Sequence, residues 1–225
     1  MFTTEDIQKA LDFRFLSGAD WGMGCFFEDY ILLAGVAVML RPKKILEIGT
    51  SNGLGSIVLA KASSFLSEPA HVTSVDISMK DARKNLHLVE GIERQITFIE
   101  GPTDHVLPKL KADGSWFDFI FIDGDHKYEQ VKYDWLNCIS LSTTFAFHDT
   151  TQFMGLQQLM REIRSENIYD VFQFVSPPGH RYASGPVKEH FSTGISLVQN
   201  RKNLWDLPYQ ADCGHNYYLL PGHAE

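Results

Sequence analysis

Two short acidic segments hold the side chains of this sequence that are best suited to chemistry. Asp123 and His126 lie in the first segment, and His148 and Asp149 lie in the second. Carboxylates and imidazoles that lie close together can hold a divalent cation, and an imidazole can also take the proton of a hydroxyl group. A cation that chelates two adjacent hydroxyl oxygens lowers the pKa of one of them and fixes its direction. These residues therefore predict a site for a hard divalent cation.

A glycine-rich segment lies earlier in the chain, directly after a short apolar run. It reads ILEIGTSNGLGS over residues 45–56, with glycines at Gly49, Gly53 and Gly55. Glycine lets a ligand approach the backbone without meeting a Cβ atom. The spacing G-x-x-x-G-x-G differs from the G-x-G-x-x-G of dinucleotide-binding proteins. It predicts a wider loop, which suits a bulky group without phosphate.

Asp76 ends the next apolar run and is a further candidate. A carboxylate at the end of a strand can accept hydrogen bonds from the two vicinal hydroxyls of a ribose. A glycine loop followed by such an acid predicts adenosine binding. Two plainer interpretations stay open at this point. Glycine-rich turns also form for purely geometric reasons, and acids at strand ends often cap helices.

The elements that must position these residues alternate between apolar runs and amphipathic segments. Strands are predicted over residues 44–48, 72–75, 96–99, 117–122, 145–147, 171–175 and 194–198, and helices over residues 4–15, 26–40, 54–65, 82–89, 103–110, 128–138 and 153–164. This alternation predicts an α/β fold with a doubly wound, mostly parallel sheet and helices on both faces. The last two strands have no helix between them, so they can be antiparallel. Both acidic segments should then meet at one edge of the sheet, beside the glycine loop.

Length, charge and cysteine content restrict the class of protein. The 225 residues predict one domain, with a helical cap over residues 1–40, a cofactor-binding core over 41–200 and a tail over 201–225. The net charge of -8 and the lack of a dense basic run argue against nucleic acid and favour a small molecule or another protein as partner. Three widely spaced cysteines predict reduced thiols. Without a recognisable signal peptide or a membrane-spanning stretch, the expected location is the cytoplasm.

The segments LEIGTSNGLGS and VTSVDIS resemble the first two motifs of class I S-adenosylmethionine-dependent methyltransferases, and the resemblance covers roughly residues 26–200. It implies a seven-stranded sheet whose last strand is antiparallel. It also implies that the glycine loop lines the methionine part of the cofactor, that Asp76 holds the ribose and that residues 98–104 approach the adenine. The implied cofactor-binding residues are Glu47, Gly49, Thr50, Ser51, Gly53, Asp76, Thr103 and Asp123.

The segments IDGDHKYEQVKYDW and FAFHDT resemble a narrower group, the macrolide-sugar and cephalosporin-biosynthesis methyltransferases, and more distantly the catechol-type O-methyltransferases. In both groups, acids after the fourth and fifth strands bind magnesium. The resemblance implies that Asp123, His148 and Asp149 are metal ligands and that His126 is a general base. His148 stands where a relative has a carboxylate, and Thr150 stands where the catechol type has an amide. These departures leave the third ligand and the identity of the metal open.

The favoured hypothesis is therefore a methyltransferase that uses S-adenosylmethionine and Mg²⁺ to methylate a hydroxyl group of a small molecule. Asp123 and Asp149 could instead simply cap the helices predicted to begin at residues 128 and 153. Two other functions stay open: a nicotinamide-dependent oxidoreductase on a similar sheet, and a non-catalytic protein that keeps the cofactor fold.

Weaker signals concern the walls of an acceptor pocket. Four aromatic residues near the start of the chain are predicted to lie in the core: Trp21, Phe26, Phe27 and Tyr30. Glu28 and Asp29 are expected on the exposed side of the same helix. Residues 176–193 are a candidate cover for the acceptor. The tail over residues 201–225 is expected to pack on the sheet edge or to mediate a homo-oligomer.

Overall fold

The computed structural model describes residues 3–20, 25, 27–175 and 193–201. The helices in these ranges are α1 (Thr4–Ala10), α2 (Phe27–Leu40), α3 (Leu54–Ser63), α4 (Ala82–Asn85), α5 (Thr103–Ala112), α6 (Tyr128–Cys138) and α7 (Met154–Ser165). The strands are β1 (Lys44–Ile48), β2 (His71–Asp76), β3 (Ile96–Glu100), β4 (Phe119–Ile122), β5 (Thr144–Phe147), β6 (Tyr169–Phe174) and β7 (Ile195–Asn200).

The seven strands form one sheet in the order β3-β2-β1-β4-β5-β7-β6. β7 runs antiparallel to both of its neighbours, β5 and β6, whereas the other pairs are parallel. The predicted α/β fold with a reversed last strand is confirmed. The strand order changes direction between β1 and β4, and ligands of such sheets bind at the carboxyl ends of the strands beside that point.

Both faces of the sheet are buried because successive strand residues point to opposite sides. Ile45, Phe119 and Phe121 belong to the core that includes residues of α2 and α3. Leu46 and Ile120 belong to a second core, formed with residues of α5, α6 and α7. Two cores of this kind hold the strands firmly from both sides, so the loops at their carboxyl ends start from fixed positions.

Two predicted helices are shorter than expected. The first ends at Ala10 and is capped by Thr3, which exchanges hydrogen bonds with Asp6, so the prediction of a helix to residue 15 is wrong. The segment predicted as one helix over 82–89 ends at Asn85 and continues as a 3₁₀ turn over Leu86–Leu88. Neither change moves a candidate site residue.

Several expectations lie outside the described residues: the core positions of Trp21 and Phe26, the cover over residues 176–192 and the tail over residues 202–225. Phe27 is partly buried against the core, and Tyr30 is 1% exposed, so the core placement of these two aromatics is confirmed. Among the helices that the structure describes, none combines the length and the apolar character needed to cross a membrane.

Candidate functional site

The loops that follow β1, β4 and β5 begin side by side. The backbone N–H of Gly49 donates to the carbonyl of Val75 at 2.9 Å, and the N–H of Asp123 donates to the carbonyl of Ile48 at 2.7 Å. The N–H of His148 donates to the carbonyl of Ile122 at 3.1 Å. These bonds extend the parallel ladders by one residue, and they place the predicted cofactor and metal residues at one edge, as the sequence predicted.

Gly49 joins the glycine loop to the acidic segment after β4. Its φ of +91° lies in a region that residues with a Cβ atom rarely adopt. A Cβ atom at this position would overlap the backbone carbonyl group of Asp123. The two loops therefore touch through their backbones, and only glycine permits that approach.

Glu47 is buried beneath the glycine loop, with 1% of its surface exposed. Its carboxyl group accepts hydrogen bonds from the hydroxyls of Ser56, on α3, and Ser74, on β2. Burial raises the pKa of Glu47 to about 8, although both hydrogen bonds act in the opposite direction. Glu47 thus ties the loop, β2 and α3 together, and its predicted contact with the cofactor stays a prediction.

Asp76 lies at the end of β2 and faces the glycine loop. Its Oδ2 accepts a hydrogen bond of 2.8 Å from the N–H of Ser51, and its Oδ1 accepts a longer one of 3.3 Å from Ser78. Ser51 itself has a positive φ of 48°. A carboxylate can accept about four hydrogen bonds, so Asp76 keeps acceptor capacity for a ligand.

Three other predicted cofactor residues make contacts within the protein. The Thr50 hydroxyl lies 2.6 Å from that of Ser74 in the buried layer below the loop. The Thr103 hydroxyl, at the start of α5, accepts a hydrogen bond of 3.0 Å from Gln130 on α6. Gly53 has a φ of +78° and packs against Ala82 of α4. The proposed contacts of these residues with a cofactor stay predictions.

Asp123, His126 and Asp149 converge at the ends of β4 and β5, where one ligand atom from each lies within 4.8 Å of the others. His126 Nε2 is 3.2 Å from Asp149 Oδ2 and 3.9 Å from Asp123 Oδ1. The imidazole stacks on the ring of Phe153, with 4.1 Å between the ring centres. Asp149 is 8% exposed and has a φ of +57°.

Neither acid caps a helix, which was the plainer interpretation. The N-cap residues of α6 and α7 are Lys127 and Phe153, and no side chain caps either helix. Asp125, by contrast, accepts a local hydrogen bond of 2.9 Å from the N–H of Lys127. The carboxylates of Asp123 and Asp149 face the imidazoles instead.

His148 points inward and is 4% exposed. Its Nδ1 lies 3.0 Å from Asp123 Oδ1, and its Nε2 lies 3.0 Å from Asp29 Oδ2. Asp29 also accepts hydrogen bonds of 2.8 Å and 3.1 Å from the hydroxyl of Thr193. The expectation that Asp29 lies on the exposed side of α2 is wrong, because it is 1% exposed. A buried carboxylate needs partners, and Asp29 finds them in His148 and Thr193.

Cys25 completes this buried part of the site. Its thiol lies 3.3 Å from Asp123 Oδ2. Burial raises the pKa of the thiol, so the neutral S–H form is favoured and acts as a donor to the carboxylate. The sequence did not predict that Asp29, Thr193 and Cys25 contact the acidic residues. No local motif marks them, since each reaches the site from a distant part of the chain.

The charged groups at this edge stabilise one another. Burial by itself would lower the pKa of His148, but Asp123 and the other carboxylates hold it well above its ordinary value. Burial would raise the pKa of Asp123, and His148 instead lowers it to about 2. Burial works against a charge on His126, yet Asp123 and Asp149 raise its pKa as well. The pKa of Asp149 is raised, mainly by burial.

Comparison with protein families bears on this geometry. Residues 46–150, which run from β1 to the end of the second acidic segment, match the family model described as a methyltransferase domain. Over these residues the chain is similar to methyltransferase domains. The resemblance to S-adenosylmethionine-dependent methyltransferases is thereby confirmed, and the matched residues of this domain contain both the glycine loop and the acidic group.

Two curated proteins are similar to parts of the chain. Caffeoyl-CoA O-methyltransferase 2 of Populus trichocarpa is 30% identical over 92 residues, which are 39% of this chain and 36% of that protein. Catechol O-methyltransferase B of Danio rerio is 25% identical over 134 residues, which are 57% of this chain and 49% of that protein. The similarity therefore spans half or less of each relative's length.

A solved structure resembles the methyltransferase domain over a larger part of the chain. The O-methyltransferase TomG of Streptomyces achromogenes, solved in complex with SAM, superposes with a TM-score of 0.65 at 17% sequence identity. The superposition covers 83% of this chain and 89% of TomG. At this level of identity the likeness shows a shared fold.

Proposed function

We propose that this protein transfers a methyl group from S-adenosylmethionine to a hydroxyl group of a small molecule, with help from a divalent cation. One observation carries the proposal. The backbone contact between Gly49 and Asp123 sets the glycine loop with Asp76 directly beside the group of Asp123, His126 and Asp149. The match to a methyltransferase domain and the similarity to caffeoyl-CoA and catechol O-methyltransferases support it.

The residues present fit the proposed cofactor. Asp76 keeps acceptor capacity beside the N–H of Ser51, which suits the two hydroxyls of a ribose. The positive φ angles at Gly49, Ser51 and Gly53 give the loop a backbone path without bulky side chains at the glycine positions. The spacing of these glycines and the family match both favour a methyltransferase over a nicotinamide-dependent oxidoreductase.

The residues present also fit a cation. Asp149 Oδ1 and His126 Nε2 are buried atoms without a hydrogen-bond partner, and a cation bound by both atoms would supply one. A bound cation supplies a lowered pKa for a coordinated hydroxyl. The chain itself aligns the reacting groups, because the Gly49 contact fixes the distance between the two loops, and alignment is a large part of catalysis.

The predicted role of His126 as general base uses its Nε2, the atom that faces Asp123 and Asp149. The same atom would bind a cation, so only one of the two roles can hold when the cation is present. The identity of the acceptor, a cytoplasmic location and a possible homo-oligomer stay predictions.

Calorimetric titration of the full chain with S-adenosylhomocysteine tests the cofactor site. We expect binding, and we expect Asp76→Asn to weaken it about tenfold, because a neutral amide accepts ribose hydroxyls less strongly than a carboxylate. Asp81→Asn is the matched control, since Asp81 is an exposed acid nearby whose partner is Lys84. No binding at millimolar ligand would contradict the proposed function.

Methyl transfer is tested with isotope-labelled S-adenosylmethionine and acceptors that carry two adjacent hydroxyls, such as catechol and 3,4-dihydroxycinnamate. We expect labelled product that depends on a divalent cation. Product formation that is unchanged after exhaustive chelation would contradict the role of the cation and leave the transferase assignment intact.

A further inference from the structure

Two overlapping groups of potential metal ligands meet at Asp123. The inner group consists of Cys25, Asp123 and His148, and the outer group consists of Asp123, His126 and Asp149. In each group, one ligand atom per residue lies within 4.8 Å of the others. Distance alone does not distinguish them, but their hydrogen bonds do.

The inner group is complete without an ion. Both ring nitrogens of His148 lie 3.0 Å from a carboxylate oxygen, one on Asp123 and the other on Asp29. The Cys25 thiol is within hydrogen-bonding distance of the second oxygen of Asp123. A cation could enter here only by displacing these buried bonds, each of which would then leave an unpartnered polar atom.

The outer group is incomplete. Asp149 is 8% exposed, yet its Oδ1 has no hydrogen-bond partner, and neither has the buried Nε2 of His126. His126 Nε2 and Asp149 Oδ2 are 3.2 Å apart without the geometry of a hydrogen bond. Nearly all buried polar atoms in proteins are paired. Neighbouring ligand atoms around one ion are on the order of 3 to 4 Å apart, which agrees with the separations of 3.2 and 3.9 Å from His126 Nε2 to the two carboxylates.

We propose that Asp123, His126 and Asp149 bind one divalent metal ion, that His126 Nε2 is a ligand rather than the general base, and that the site prefers Mn²⁺ to Mg²⁺. The proposal rests on the proposed function, whose cation it identifies. Mg²⁺ and Mn²⁺ both suit carboxylate ligands, but Mn²⁺ is the first member of the transition-metal series, whose ions accept an imidazole nitrogen more readily than Mg²⁺ does. One imidazole with two carboxylates is therefore a ligand set for a transition metal.

His148 then has a supporting role instead of the ligand role that the sequence predicted. Its Nδ1 donates to Asp123 Oδ1 and its Nε2 is held by Asp29, so the ring fixes the direction of the Asp123 carboxylate. Partners that orient a ligand in this way raise the affinity of a site for its metal. The inner group is thus the support of the outer one.

Electron paramagnetic resonance of the full chain with Mn²⁺ tests the proposal. We expect one Mn²⁺ per chain, bound about tenfold or more tightly than Mg²⁺ in competition. Electron spin echo spectra of the bound Mn²⁺ should show coupling to one imidazole nitrogen. Equal affinities for the two ions, or no nitrogen coupling, would overturn the proposal.

Substitution identifies the nitrogen. His126→Gln keeps a polar side chain of similar length, and we expect it to abolish the nitrogen coupling and to weaken Mn²⁺ binding at least tenfold. His105→Gln, on the exposed side of α5, should change neither quantity. Nitrogen coupling that persists in a folded His126→Gln protein would assign the ligand to His148 and overturn the proposal. Titration with S-adenosylhomocysteine separates the metal site from the proposed methyltransferase function. If the protein binds S-adenosylhomocysteine but not Mn²⁺, only the metal site is refuted.

Discussion

The functional edge of the sheet has two halves that are held together in different ways. At the ends of β1 and β2, Glu47 is bound by Ser56, nine residues away, and Ser51 is bound by Asp76, 25 residues away. At the ends of β4 and β5, His148 reaches Asp29 across 119 residues. The cofactor half, at the ends of β1 and β2, is held by contacts among residues 47–76. The acidic half, at the ends of β4 and β5, is assembled from distant segments and keeps unpartnered buried atoms. The cofactor half is therefore built by the local fold, whereas the acidic half depends on long-range contacts and holds the unpartnered atoms on which the proposed cation site rests.

The largest expected effect concerns the buried acid of the cofactor half. The folded protein keeps Glu47 protonated up to a pKa of about 8, while the unfolded chain releases this proton near the ordinary value of 4.5. The fold therefore loses stability as the pH rises from about 5 to 8, by about 5 kcal/mol. Glu47→Gln should remove this loss, as measured by urea unfolding at several pH values.

Glu93→Gln, an exposed substitution, is the control for Glu47→Gln and should leave the pH dependence as it is. If Glu47→Gln and the unsubstituted protein lost stability in parallel between pH 5 and 8, the cofactor half would not contain a protonated acid. The buried acid of the cofactor half would then be ionised, as Asp123 is in the acidic half, and the two halves would not differ in the charge of their buried acids.

The contact between the halves gives the next largest effect. Gly49→Ala should lower the free energy of unfolding by about 4 kcal/mol, since it adds a clash with the Asp123 backbone to an unfavourable positive φ. Gly91→Ala is the matched control, because Gly91 also has a positive φ, of +76°, with open space around it. It should cost about 1 kcal/mol. Equal losses in the free energy of unfolding, measured with denaturant, would show that the backbone around Gly49 and Asp123 can shift to make room for a Cβ atom.

A smaller effect sharpens the difference between the halves. Asp29→Asn removes a buried charge from the bond with His148, and we expect a loss of about 3 kcal/mol in stability. The affinity for S-adenosylhomocysteine should stay within about twofold, because the cofactor half has its own bonds. Asp113→Asn, at the exposed C-terminal end of α5, provides the baseline. A drop in cofactor affinity as large as the drop in stability would show that the halves are coupled.

Local signals were sufficient for the sheet and for the cofactor half. The predicted bounds of β1 and α6 agree with the structure residue by residue, since an apolar run and a regular amphipathic period mark them. The glycine loop and Asp76 stand next to each other because parallel strands end at one edge. The parallel pairing of β1 with β2 was therefore enough to predict that the glycine loop lies beside Asp76.

For the acidic half, the sequence predicted only that the segments after β4 and β5 lie close together at one edge of the sheet. α2 is apolar around most of its circumference, so its periodicity gives no direction for Asp29, and a charged residue was expected to face solvent. Its burial depends on Thr193, 164 residues further along the chain. The inward direction of His148 follows from the same bonds, which no motif records.

The reversed strand β7 has a consequence for how such a protein can diversify. β6 ends at Phe174 and β7 begins at Ile195, and because the two strands are antiparallel, both of these points lie at the functional edge. Gly194 packs so closely on the Phe174 carbonyl that a Cβ atom would lie 3.0 Å from its oxygen. The pairing of β6 with β7 thus holds Phe174 and Ile195 at a fixed distance from each other. We therefore expect that replacing residues 176–192 with another segment would leave the pairing of β6 with β7 in place, because both ends of the replaced segment are fixed by that pairing.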